Sequence, residues 1–124
     1  MKEKEFEKIK EERSEFKIYG KILEKETGKG IPNLIVKAVD KDLLYDDILG
    51  EATTDENGNF EIKYNKEDFK ELLLDKEPDI YLNVRNANGD VIYTTETKVV
   101  YDALEEEEFV IRISKSLIKG KKED

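Results

Sequence analysis

Short stretches of alternating apolar and polar residues recur along the chain, separated by polar or glycine-bearing turns. From residue 16 to 23 the run FKIYGKIL places Phe16, Ile18, Gly20 and Ile22 on one face. Period two with β-branched and aromatic residues predicts a half-buried strand. The same pattern returns over 34–40, with Leu34, Val36 and Ala38 inward, and over 60–64, with Phe60, Ile62 and Tyr64 together. Residues 50–55 read as a weaker strand. The runs 79–86 and 90–97 flank an Asn-Gly turn, and 108–114 closes the series with Phe109, Ile111 and Ile113.

One segment breaks the alternation. Over 65–78, Asn65 can cap a helix whose apolar stripe is Phe69, Leu72 and Leu73, and Pro78 ends it. This predicts one short helix over about residues 66–75. The remaining pattern predicts an all-β fold, a Greek-key β-sandwich of about seven antiparallel strands. Following the chain up and down puts the turns 25–30, 55–59 and 86–89 at one end. The loops 40–49, 65–78 and 98–107 then share the other. Residues 15–114 form the expected domain. A charged, flexible or helical lead (1–14) precedes it and a polar tail (115–124) follows.

Composition adds limits. The chain has 124 residues, enough for one domain, with 37% hydrophobic and 43% charged residues and a net charge of -9. Such a surface repels nucleic acid and anionic lipid, which need clustered Lys and Arg. There is no cysteine, so disulfide and thiol chemistry are excluded, and no histidine, which removes the usual general base and the commonest metal ligand. No apolar run is long enough to span a membrane as a helix. The charged start has no apolar core of a signal peptide. The compartment stays open.

The residues from Tyr19 onward, YGKILEKETGKGIPNLIVKAVDKD followed by LGEATTDENGNFEIKY, resemble the carboxypeptidase regulatory-like or transthyretin-like (prealbumin-like) domain. Gly30, Val36, Ala38, Asp40, Gly50, Thr54, Asp55, Gly58 and Phe60 carry the likeness. The string TTDENGNF is also similar to the Cna-B repeats of bacterial surface adhesins, another Ig-like sandwich. The resemblance implies a non-catalytic structural or interaction module, with another protein or a glycan as partner and an extracellular or cell-surface setting. The hydrolases and iron dioxygenases of this sandwich type depend on histidine, and the chain has none. The last strand offers no Asn or Asp for a Cna-B isopeptide link. One Met, no Trp, and runs such as KEKEFEK also fit an idealised or designed surface, and equally a thermophile's.

Candidate chemistry is sparse. The DENGN turn does not match an EF-hand, because Gly58 is fourth and Lys66 twelfth when counted from Asp55. Asn-Gly at this place predicts a tight turn instead. Asp40, Asp42, Asp46 and Asp47 crowd the loop 40–49, with Asp102 and Glu105–Glu108 expected at the same end. Several carboxylates from two loops are what calcium needs, so these four aspartates are the candidate ligands, and no other cofactor is implied. The alternative reading of that loop is a solvated turn with Leu43, Leu44, Ile48 and Leu49 tucked beneath. Tyr45 and Tyr101, in loops at one end, are candidates for a glycan or peptide platform. Paired carboxylates for glycoside hydrolysis would need a cleft that nothing predicts. Lys and Glu alternate along 15–26 as on a protected edge strand, which could alternatively accept a partner strand. The expectation is a monomer that is not an enzyme.

Overall fold

The computed structural model describes residues 15–42, 46–65 and 78–119. The expected lead 1–14, the helix over 66–75 and the end of the tail lie outside the described residues. Seven strands are present: β1 (Glu15–Glu24), β2 (Ile35–Asp40), β3 (Asp47–Thr53), β4 (Asn59–Asn65), β5 (Ile80–Arg85), β6 (Val91–Thr94) and β7 (Glu106–Ile113). A 3-10 turn covers Glu96–Lys98, and a single helical turn, α1 (Lys115–Ile118), follows β7. α1 falls in the stretch expected to be polar tail, and its Ile118 packs against the core.

The strands form two sheets, a three-stranded one in the order β4-β1-β7 and a four-stranded one in the order β3-β2-β5-β6. Alternation explains the packing. Phe16, Ile18 and Ile22 of β1 and Phe60, Ile62 and Tyr64 of β4 face Val36, Ala38, Ile80, Leu82 and Val84 of the opposite sheet in one buried cluster. The ring of Tyr64 stacks on Phe16, with centroids 5.2 Å apart. Every predicted strand exists, with boundaries moved by a few residues.

Two features differ from the expected plan. First, β1 pairs with β7 in parallel, Gly20 opposite Phe109, while the other ladders are antiparallel. Direction reverses at every connection, so the first and seventh strands run the same way. Setting them side by side makes that ladder parallel. Second, the segment predicted to be a protected edge is the central strand of its sheet. β1 lies between β4 and β7, and its alternating charges bind across it: Lys17 reaches Glu61 of β4 at 3.6 Å and Glu106 of β7 at 3.9 Å. The edges are β4 and β7, β3 and β6.

Among the described residues, Thr54 bonds to Ile31 and Leu34 at one end, and Asp40, Asp79 and Asp102 are linked at the other, while the expected loop 65–78 lies almost wholly outside them. At the end holding 25–34, 54–58 and 86–90, two turns repeat one design. Asp55 Oδ1 accepts the N–H groups of Asn57 and Asn59, each at 2.9 Å. Asn86 Oδ1 accepts those of Asn88 and Asp90, at 2.9 and 3.0 Å. In each turn the glycine of the Asn-Gly pair takes positive φ, 80° at Gly58 and 90° at Gly89, which glycine adopts at no steric cost. The same bonds hold the exposed Asp55 carboxyl below its ordinary pKa, the Asn59 amide first. The DENGN segment therefore turns the chain.

Candidate functional site

The acidic end is built by four segments: the end of β2, the β2–β3 loop, the residues entering β5, and the 95–105 connection. Its geometry differs from a loop of free aspartates. β3 begins at Asp47 rather than at residue 50, and Asp40 and Asp47 face each other as the last rung of the β2–β3 ladder. A bulge makes the extra length possible. Ala38 pairs with Gly50 and Val39 with Ile48, leaving Leu49 as the additional residue. Leu49 turns into the core while Ile48 stays exposed. Leu43, Leu44 and Tyr45 lie outside the described residues.

The aspartates are engaged with the backbone around them. Asp46 Oδ1 accepts the Asp42 N–H at 3.0 Å, and Asp46 Oδ2 accepts the Tyr81 hydroxyl at 2.7 Å. Asp40 Oδ1 accepts the Asp79 N–H at 2.9 Å. Asp79 Oδ1 in turn accepts the N–H of Asp102, at 2.9 Å. Asp102 sits at φ 53°, a left-handed conformation that Asp tolerates better than most residues. The Lys41 N–H donates to Asp79 O, and Ile80 and Val100 exchange both of their backbone bonds. Together these bonds staple β2, β5 and the 95–105 connection.

One consequence is visible on the outer face of the four-stranded sheet. Val39 and Tyr81 are only 5% exposed although they alternate outward from the core positions Ala38 and Leu82. Asp46 and Lys41, from either end of the β2–β3 connection, both reach Tyr81. Lys41 Nζ lies 5.8 Å from the Tyr81 ring centre and 3.1 Å from Glu96 Oε2. Tyr81 is one of the tyrosines open to either a platform or a half-buried sheet reading, and periodicity does not show its burial because its partners Asp46 and Lys41 lie outside the strands. The signal available was an aromatic residue at an outward strand position near several acids.

Charge follows from this packing. Burial pushes the Asp40 carboxyl up to about 6, opposed by the Asp79 N–H and reinforced by the negative charges of Asp79, Asp47 and Asp42. Asp46 moves the other way, lowered by the Asp42 N–H and then by the Tyr81 hydroxyl. Burial and then the Asp46 carboxylate raise the Tyr81 hydroxyl above the ordinary phenol range. Among the described residues, no group of three or more acidic side chains is placed to hold a metal ion. Tyr101 is exposed beside Asp102. An open cleft of about 350 Å³ lies on the three-stranded sheet, lined by Glu15, Phe16, Lys17, Lys63, Glu105 and Glu106. Its rim is an ion-pair network of mixed charge.

A family model matches residues 27–102, a span that runs from the first turn through the stapled connection. It is that of the TTR-52 transthyretin-like family. The chain belongs to the transthyretin-like family. The match spans both Asn-Gly turns, the bulge and the acidic end, features of architecture. No curated protein matches the chain. Among solved structures, a 9R-lipoxygenase from Cyanothece PCC8801 is similar over 87% of this chain, with 24% identity and a TM-score of 0.52. This chain spans 20% of that one, and the likeness is one of fold. The dioxygenase domain of a dioxygenase–carbohydrate-binding protein fusion from Streptomyces sp. SirexAA-E is similar over 82% of this chain and 81% of its own, at 12% identity and a TM-score of 0.47. Among the described residues of this transthyretin-like domain, no helix is long and apolar enough to cross a membrane.

Proposed function

We propose that this transthyretin-like sandwich is a non-catalytic structural or interaction module of the carboxypeptidase regulatory-like type. One observation carries the reading. The polar groups gathered at the acidic end are used to join segments of the fold, with Asp46 spending one oxygen on the Asp42 N–H and the other on Tyr81. A catalytic carboxylate needs an oxygen free to reach substrate. The chain also has no histidine to share the work. The test is turnover of ester, glycoside and hydroxyisourate substrates by the whole protein. The reading expects rates no higher than buffer. Turnover that disappears in Asp40→Asn or Tyr81→Phe while the protein stays folded would overturn it.

Calcium binding is the second reading, supported by the crowding of Asp40 with Asp79, Asp47 and Asp42, which a cation would relieve. It would recruit Asp40, Asp42, Asp46 and Asp47, and Asp46 would have to release Tyr81 or Asp42. Amide spectra recorded in chelator and then with added calcium test it. Saturable shifts at Asp40–Asp42 and Asp46–Gly50 would establish the site, and unmoved spectra would remove it. For a glycan platform, Tyr101 supplies an exposed ring.

A further inference from the structure

The three-stranded sheet covers a four-stranded one. β4 lies against β3, since a Cβ on Gly50 would stand 2.8 Å from Ile62 Cγ2. Counting across from there sets β1 over β2 and β7 over β5, and leaves β6 with no strand above it among the described residues. α1 fills one end of that space, where Asn86 Nδ2 donates to Ile118 O at 3.2 Å. Among the described residues, a lane one strand wide therefore runs beside β7.

The edge bordering the lane has free pairing groups. In a parallel ladder, alternate residues direct both backbone groups to the neighbour. Lys17 N–H donates to Glu105 O at 2.8 Å and Lys25 N–H to Ile113 O at 3.0 Å, which sets the phase. Odd-numbered residues of β7 face β1. Glu106, Glu108, Val110 and Arg112 turn their N–H and C=O groups to the lane. The side chains there are divided by charge and polarity. Glu105–Glu108 make one half acidic. Toward the other end Val110 is 51% exposed, and Leu117 of α1, which fills the end of the lane, is 46% exposed. An edge of this kind pairs with an extended chain by backbone bonds, and side-chain pockets then select it.

We propose that β7 is the docking edge of this domain, accepting one extended segment of a partner protein as a fourth, antiparallel strand. The segment carries aliphatic residues in its first half, opposite Ile111 and Val110, and Lys or Arg in its second half, opposite Glu108 and Glu106. A second copy of this chain does not fit. Two-fold pairing of β7 with itself would set each β6 into the place of the other copy's β5. The proposal rests on the module reading above and names the surface that such a module uses.

The test adds a short threonine-rich peptide, with valines in its first half and lysines in its second, to the whole protein. A counterpart carries glutamates in place of the lysines. Amide hydrogen exchange and chemical shifts are read. Binding of the lysine peptide should protect the N–H groups of Glu106, Glu108, Val110 and Arg112 and weaken as salt rises. The glutamate peptide should bind about tenfold or more weakly, as two cross-strand pairs change from attraction to repulsion. Val110→Pro removes an outward N–H and should abolish binding at unchanged melting temperature. If that variant unfolds, Glu106→Lys with Glu108→Lys reverses the peptide preference instead. Equal affinity for both peptides, protection at β3 or β4 rather than β7, or a peptide-free dimer with protected β7 amides would overturn the proposal. Turnover that survives Val110→Pro would sink the module reading and leave the docking edge standing, so the two failures are distinguishable.

Discussion

The hydroxyl of Tyr81 donates to Asp46 Oδ2 at 2.7 Å, and this bond joins β5 to the residue that leads into β3. Val39 and Tyr81, on the outer face of the four-stranded sheet, are both nearly free of water. An acidic side chain is thus bonded to an aromatic one that is buried on the outer sheet face.

Removing that hydroxyl should loosen the loop without emptying the site. Tyr81→Phe is expected to lose about 1 to 2 kcal/mol in chemical denaturation, the value of a hydrogen bond to a charged acceptor. Amide exchange at Asp42, whose N–H is held by the same carboxylate, should quicken. An unchanged midpoint with unchanged exchange would show that the loop is held by packing alone.

Asp40 gives the protein a pH dependence of definite sign. Its folded carboxyl is raised to about 6 from 3.8, chiefly by burial. A raised acid contributes stability below its unfolded pKa and loses that contribution as pH rises through 6. Asp40→Asn keeps an oxygen for the Asp79 N–H and carries no charge. Since Asp40 is only half-buried, solvent screening limits the gain to about 1 kcal/mol. Melting curves should show the variant more stable than the parent at pH 7 and equal to it near pH 4. Equal stability at both values would contradict the crowding of Asp40.

Thr54 ties the two long connections together at the opposite end. Its buried hydroxyl donates to Ile31 O at 2.7 Å and accepts the Leu34 N–H at 3.0 Å. Thr54→Ala would leave a carbonyl and an N–H buried without partners, at a cost of about 2 to 4 kcal/mol. Thr54→Ser keeps both bonds and should recover most of that loss in the same denaturation series.

Gly20 sits where β1 and β7 approach too closely for a side chain. A Cβ there would stand 1.8 Å from Phe109 O, and backbone cannot give way as a flexible side chain does. Gly20→Ala should push β7 from the sheet, with a loss of about 3 kcal/mol or more. Gly28→Ala meets no neighbour and, with φ at 78°, should show only the smaller cost of the left-handed backbone, about 1 kcal/mol. Thermal unfolding of the two variants side by side provides the comparison.

The sequence by itself determined the seven strands, their inward faces and the two Asn-Gly turns. Those features are local: period two fixes which side of a strand is apolar, and a glycine beside asparagine supplies the positive φ. It also placed the 40–47 and 98–105 segments at one end, where Asp79 accepts the Asp102 N–H and donates to Asp40. Strand neighbours were another matter. The alternating charges of β1 read as an edge, yet ion pairs to Glu61 and Glu106 show them spanning both sides of a central strand. Alternation reports exposure of a face and says nothing of what lies beside it. Only the tertiary structure made β7 an edge, set three strands over four, and joined Asp46 to Tyr81. Each depends on contacts between residues far apart in the chain, whose geometry is set when the two sheets close on a common core.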